Sequence, residues 1–246
     1  MKLADSTHHA SNLLFKQVIQ IIAICLGLMF FLGIVAEFFV RSRLITWHDP
    51  YQTYRAINES MGLFSTGILS FIVIIILDII LSACFYLLFN SVNYSLSLLM
   101  AGLRLLYVAV KGGAIVGLVI AKDIYTSTDE LNKEQLDVAV NQAFIFLKIH
   151  HTGFAIGLIF FGMHLLLLAL LVQKLTTAPY WISWFLFIAS FGYVLNSVAT
   201  LFFSDHAQLF NLIIGVFIVP MSFSEVFLAG WLFVKRRKIA SILSAV

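Results

Sequence analysis

Charge is scarce in this chain. Asp, Glu, Lys and Arg make up 11% of its 246 residues, against about 25% in an ordinary soluble domain. So little charge cannot clothe a water-soluble fold, and it leaves no basic face on which nucleic acid would lie. Cysteine is nearly missing as well. Cys25 and Cys84 both sit inside apolar runs, which excludes a disulfide framework and a C-x-x-C metal site. They read as packed thiols. There is no glycine-rich phosphate loop, no G-x-S-x-G elbow, no H-E-x-x-H pair and no G-x-G-x-x-G fingerprint. The common motif-bearing enzymes therefore have no foothold, and neither a cofactor nor a metal is implied.

What is present is hydrophobic: 61% of residues, with 24 Phe and a mean hydropathy of +1.02. A helix crossing a bilayer core of ~30 Å needs about 20 apolar residues. Six segments qualify: 17–40, 62–89, 96–121, 142–173, 180–203 and 211–234. The first is too long for a signal-peptide core and reads as a retained helix. The sequence thus predicts one all-α transmembrane domain over 1–246, surrounded by membrane lipids. Short connections at 90–95, 174–179 and 204–210 make sequence neighbours antiparallel. In the longer connection 41–61, Asp49 before Pro50 predicts an interfacial helix over 50–59, with a side-chain cap and a preset φ at its start. In the acidic connection 122–141, Ser127 with Glu130 fits a capping box, and Asn132 with Gln135 fits another that opens the fourth helix.

Lys and Arg set the orientation. Lys2, Lys16, Lys174, Lys235, Arg236, Arg237 and Lys238 share the side of the termini, whereas Arg41, Arg43, Arg55, Lys122 and Lys133 face the other side. Both termini are predicted to be cytoplasmic, in a cell-membrane protein.

A few ionisable residues interrupt the apolar spans. A charge at mid-bilayer costs roughly 2.5–3.5 kcal/mol on insertion scales, so each needs a partner or a polar cavity. Helical rise converts position into depth. From the terminal side, Asp78 lies about 16 Å in, Arg104 about 12 Å, and His164 and Glu225 each about 14 Å. Four helices thus place ionisable groups in one inner layer. Arg104, with five donors in a planar fork, is expected to contact at least one carboxylate. Ser82 and Ser222 extend the polar surface, and Pro220 is expected to kink the sixth span. An outer layer is less sharp. Glu37 and Arg41 are spaced for a helical ion pair. Tyr107 and Lys111 share a face with Arg104. His151 opens the fourth span beside Lys148 and His150, and Asn196 falls within reach. Gly112, Gly113 and Gly117 are expected to permit close helix approach.

Three functions fit these residues. In the first, the inner layer binds or passes a small polar or amphiphilic ligand, with Arg104 as an anion anchor. In the second, an intramembrane enzyme uses His164 and a carboxylate as acid and base, which requires a water-filled cleft at His164. In the third, the ion network is structural and the chain is a structural or partner-binding subunit. A metal at Asp78, His164 and Glu225 is disfavoured by Arg104. A haem held by His150 or His151 and His164 lacks matching histidines on a second helix.

The stretch Ala36-Glu37-Phe38-Phe39-Val40-Arg41-Ser42-Arg43-Leu44 resembles an uncharacterised, mainly bacterial membrane-protein family known as domain of unknown function 4386. The likeness continues through Gly62, Asp78, Arg104, Gly157 to His164, Gly192 to Asn196, and Ser224-Glu225 with Trp231 and Lys235. It covers about residues 15–238. The family pattern often has Asp where this chain has Asn196. The resemblance implies a multi-pass membrane protein and no particular activity.

Overall fold

A computed structural model describes residues 2–175, 177–203 and 206–244. The predicted connections 174–179 and 204–210 contain positions 176, 204 and 205, which lie outside the described residues, as do the side chains of 2–10, Lys2 among them. Among the described residues the chain is helical between its turns, with no strand. Helix α1 (Lys2–Ile34) passes into a π-helical turn (Val35–Arg41) and the short α2 (Ser42–Leu44). Then follow α3 (Pro50–Glu59), α4 (Met61–Phe89), α5 (Tyr94–Thr126), α6 (Lys133–Gln173), α7 (Tyr180–Phe202) and α8 (Ala207–Leu243). Six candidate spans are long and apolar enough to cross a membrane. The protein is a multi-pass membrane helix bundle. Asn12 Nδ2 donates to Ser244 Oγ at 3.4 Å, so both described ends of the chain lie at one end of the bundle.

Burial along the spans follows the helical period although hydrophobicity does not. In α4, Phe71, Ile74, Asp78, Leu81 and Phe85 are buried, whereas Leu69, Ile72, Ile76, Ile79 and Ile80 are exposed. An inward-facing Asp beside outward-facing isoleucines is the pattern expected when lipid is the solvent: polar groups turn away from it.

The helices run further than the apolar segments do. α6 starts at Lys133 rather than 142, because the predicted box forms: Asn132 Oδ1 accepts from Gln135 N at 2.9 Å, and Gln135 Oε1 accepts from Asn132 N at 3.1 Å. α8 continues past 234 to Leu243, where Ile239 and Leu243 are buried in one apolar cluster with Val18, Ile19 and Ile22 of α1. Packing extends these helices, and a hydropathy window cannot register it. The Ser127–Glu130 box does not form. Ser127 instead ends α5, its hydroxyl donating to the Asp123 carbonyl at 2.9 Å. A serine hydroxyl satisfies a free carbonyl as readily as it caps a start. α8 runs unbroken through Pro220.

At the end away from the termini, α3 lies across α5 and α6. Asp49 caps it, accepting from Gln52 N at 2.8 Å. Tyr54 packs on Tyr125, with ring centroids 5.5 Å apart, and its hydroxyl meets Thr128 Oγ1 at 3.0 Å. Tyr51 Oη donates to Asp137 Oδ1 at 2.9 Å.

α5 and α6 approach most closely through glycine. A Cβ on Gly117 would lie 2.6 Å from the Phe146 carbonyl oxygen, and one on Gly153 would lie 2.8 Å from Ala114 Cβ. Of the three glycines expected to serve here only Gly117 does; Gly113 has nothing within 4 Å. The partners come from α6, where Gly153 and Gly157 form a G-x-x-x-G pair. That spacing was the available signal.

Candidate functional site

The close α5–α6 packing puts Arg104 beside α4, α6 and α8, at the layer nearer the termini. Its Nε donates to Asp78 Oδ1 at 2.9 Å, with Nη2 2.6 Å from the same oxygen. Its Nη1 donates to Glu225 Oε1 at 2.9 Å and lies 2.9 Å from His164 Nε2. The structure therefore brings together all four residues placed in the inner layer by depth. Asp78, Arg104 and His164 are fully buried; the Glu225 side chain keeps 19% exposure.

Hydrogen bonding fixes the form of the imidazole. His164 Nδ1 lies 2.9 Å from the Met100 carbonyl, which can only accept, so Nδ1 carries the proton. Nε2 then accepts from Arg104, and the ring is neutral in this arrangement. Both nitrogens are engaged, which leaves neither free to exchange a proton with a substrate. Two carboxyl groups thus face one guanidinium. Phe85 and Phe161 flank the guanidinium, with each ring centroid 5.5 Å from Cζ. Those aromatic partners went unnoticed in the sequence, although Phe161 precedes His164 by one turn and so shares its face. Ser82, expected to extend the polar surface, is spent on the Ala101 carbonyl at 2.9 Å.

The layer farther from the termini is looser. The π-helical turn holds Glu37 and Arg41, with Arg41 Nε 2.8 Å from Glu37 Oε2 and the side chains 29% and 23% exposed. Lys111 on α5 is 3% exposed. Its Nζ donates to Tyr107 Oη at 2.7 Å and lies 5.1–5.4 Å from the ring centroids of Phe71, Tyr107 and Phe154. Among the described residues it forms no salt bridge. His151 packs against Trp47 with tilted rings, centroids 4.4 Å apart, and is not joined to Lys111. His150 is the deeper histidine, with Nδ1 3.2 Å from the Ala114 carbonyl. Asn196 is half-buried, and no hydrogen bond ties its side chain to this layer among the described residues; α7 packs against α6 and α8. A cleft of about 10 Å³, lined by Arg41, Phe71, Leu118 and His150 among others, is at the lower limit for one water.

No solved structure matches the chain significantly. It is 30% identical to an uncharacterised protein of Archaeoglobus fulgidus over 178 residues, which is 72% of this chain and 88% of that protein. With residues 21–235 matching the family described as "Domain of unknown function (DUF4386)", the chain belongs to that family.

Proposed function

We propose that the protein is a cell-membrane binding or transport-like protein whose inner layer takes a small anionic ligand at Arg104. One observation carries this reading. The guanidinium has one fixed and one exchangeable partner: Asp78 is fully buried, while Glu225, on its single bond, is the only member of the network with side-chain exposure. Glu225 then acts as an internal stand-in for the ligand, occupying Nη1 until an external carboxylate or phosphate displaces it. Lys16, Lys174 and the basic run Lys235 to Lys238 at the terminal end support a cytoplasmic placement of that end.

The test is a thermal-shift titration of the detergent-solubilised protein with acetate and with inorganic phosphate. Glu225→Gln removes the competing charge, so anion affinity should rise about tenfold, the equivalent of about 1.4 kcal/mol. The reading fails if neither anion shifts the melting temperature of either protein, or if the substitution weakens binding. A second reading, a structural ion clasp joining α4, α5, α6 and α8, is favoured by the full burial of Asp78, Arg104 and His164. It predicts a lower melting temperature for Glu225→Gln and no response to anions.

A further inference from the structure

One face of α8 opens by degrees toward the end away from the termini, and Glu225 stands where it closes. Ile214, Ile218 and Glu225 share that face at helical spacing. Ile214 and Ile218 are each 38% exposed, whereas Leu228 and Leu232, on the terminal side of Glu225, are sealed. The neighbouring strip of α1 has the same grading. Ile22 and Leu26 are buried in one cluster with Leu228 and Leu232. Gly33, two turns after Leu26 and on its face, is half-buried, and a Cβ there would meet nothing within 4 Å. Phe30 and Phe223, with ring centroids 5.6 Å apart, join the two helices beside Glu225. On its other side α8 stays pressed against α7, where a Cβ on Gly192 would lie 2.7 Å from Phe217 Cβ. An apolar seam between α1 and α8 therefore opens away from the termini. It ends at the carboxylate that accepts from Arg104 Nη1 at 2.9 Å.

We propose that the ligand of Arg104 is the carboxylate of a fatty acid, whose acyl chain lies along the α1–α8 seam. This rests on the anion reading of Arg104 and names the class of anion. A site near mid-depth, reached between helices, selects a ligand that can travel in hydrocarbon. A protonated carboxylic acid is neutral there. A phosphate monoester keeps a charge of about −1.5 to −2 at pH 7, which bars it from that route. From Ile214 to Glu225 the seam runs roughly 16 Å, room for an extended chain. Lipid solvates such a chain as well as the seam does, so recognition falls to the head group.

The exchange at Nη1 balances. The O–H bond of the acid breaks, an O–H bond forms at Glu225 Oε1, and the acid's carboxylate replaces Glu225 as the acceptor from Nη1. One carboxylate and one carboxylic acid are present before and after, so the charge within the membrane does not change. Asp78, on Nε and Nη2, and His164, on the Met100 carbonyl, keep their places. Glu225→Gln imitates the protonated side chain and should bind the acid at least as tightly as wild type.

The test is photolabelling of the full-length protein in phosphatidylcholine nanodiscs. The probes are laurate with a diazirine at its methyl end and the alcohol of the same length with the same diazirine. The acid should label Ile214 to Ile218 of α8 and the segment at Gly33 of α1 about tenfold more than the alcohol does. That is the preference given by one hydrogen bond to a charged group. Excess unlabelled laurate should abolish it. Equal labelling by acid and alcohol, labelling that excess laurate does not reduce, or weaker labelling of Glu225→Gln overturns the proposal. The two readings fail separately. If acetate or phosphate shifts the melting temperature while the acid labels no better than the alcohol, Arg104 remains an anion site and the fatty-acid assignment falls. If neither anion shifts it and acid and alcohol label alike, both fall.

Discussion

Replacing Arg104 by Met should unsettle the bundle far more than the loss of one side chain, and the reason is what it leaves behind. Arg104 makes one hydrogen bond to Asp78 and one to Glu225, each at 2.9 Å. Bonds to charged groups are worth about 1.5–3 kcal/mol each, so Arg104→Met should destabilise by about 3–6 kcal/mol, in line with the roughly 3–5 kcal/mol usual for breaking a buried pair. His164 Nε2 loses its donor as well, worth about 1–3 kcal/mol where a buried acceptor is left unmet. Removing the whole set should behave differently. In Arg104→Met/Asp78→Leu/Glu225→Met no charge is stranded, and buried ion networks are often replaced by apolar groups with little loss. The triple variant should lie within about 3 kcal/mol of wild type, the remaining cost being the unmet imidazole. The assay is reversible unfolding in mixed micelles under a denaturing-detergent titration, followed by circular dichroism and Trp fluorescence. If the triple variant loses as much as the sum of its single substitutions, the three side chains do not act as one coupled unit and the reasoning is wrong.

Gly117→Ala should destabilise by about 1–3 kcal/mol through overpacking, since the new Cβ would meet a backbone carbonyl at 2.6 Å that no rotamer change can move; thermal melting should show it, with Gly113→Ala, facing open space, as the tolerated control. Tyr51 should titrate above its ordinary value of 10.0, because its hydroxyl is hydrogen-bonded to Asp137. A phenol whose pKa rises on folding contributes stability that is fully present below the unfolded pKa and is lost as pH climbs through the folded one. Phenolate absorbance should therefore show Tyr51 ionising above its ordinary value, and Tyr51→Phe should remove that part of the alkaline loss.

Sequence reading reached the helix count and the inner layer for the same reason. Helical rise is constant, so the depths of Asp78, Arg104, His164 and Glu225 can be counted without knowing which way any helix faces. Rotation and packing are not written in that count. Gly113 lies one residue from Gly112 and turns to open space, while Gly117 meets a neighbouring backbone. Asn196 is near the outer layer in depth, yet its helix packs against α6 and α8 rather than α5. The aromatic rings around Arg104 and Lys111 were hidden by abundance: with 24 Phe in the chain, no single one stands out. The start of α6 was legible in the Asn132–Gln135 box, whereas the extension of α8 escaped because its pairing with α1 does not depend on hydropathy.

Lys111 places a positive charge well inside the apolar part of the fold, held by rings and a hydroxyl rather than by an opposite charge. Such a charge feels the membrane voltage. An elementary charge crossing the full field gains or loses about 2.3 kcal/mol per 100 mV. Lys111 lies roughly 10 Å along α5 from Arg104, in a core ~30 Å thick. A charge displaced by that distance along the membrane normal moves through about a third of the field, or about 0.8 kcal/mol per 100 mV. A rearrangement that carries the Lys111 ammonium toward either face is therefore biased by the electrical state of the membrane, and de-energising the membrane shifts that bias with no change in either solution.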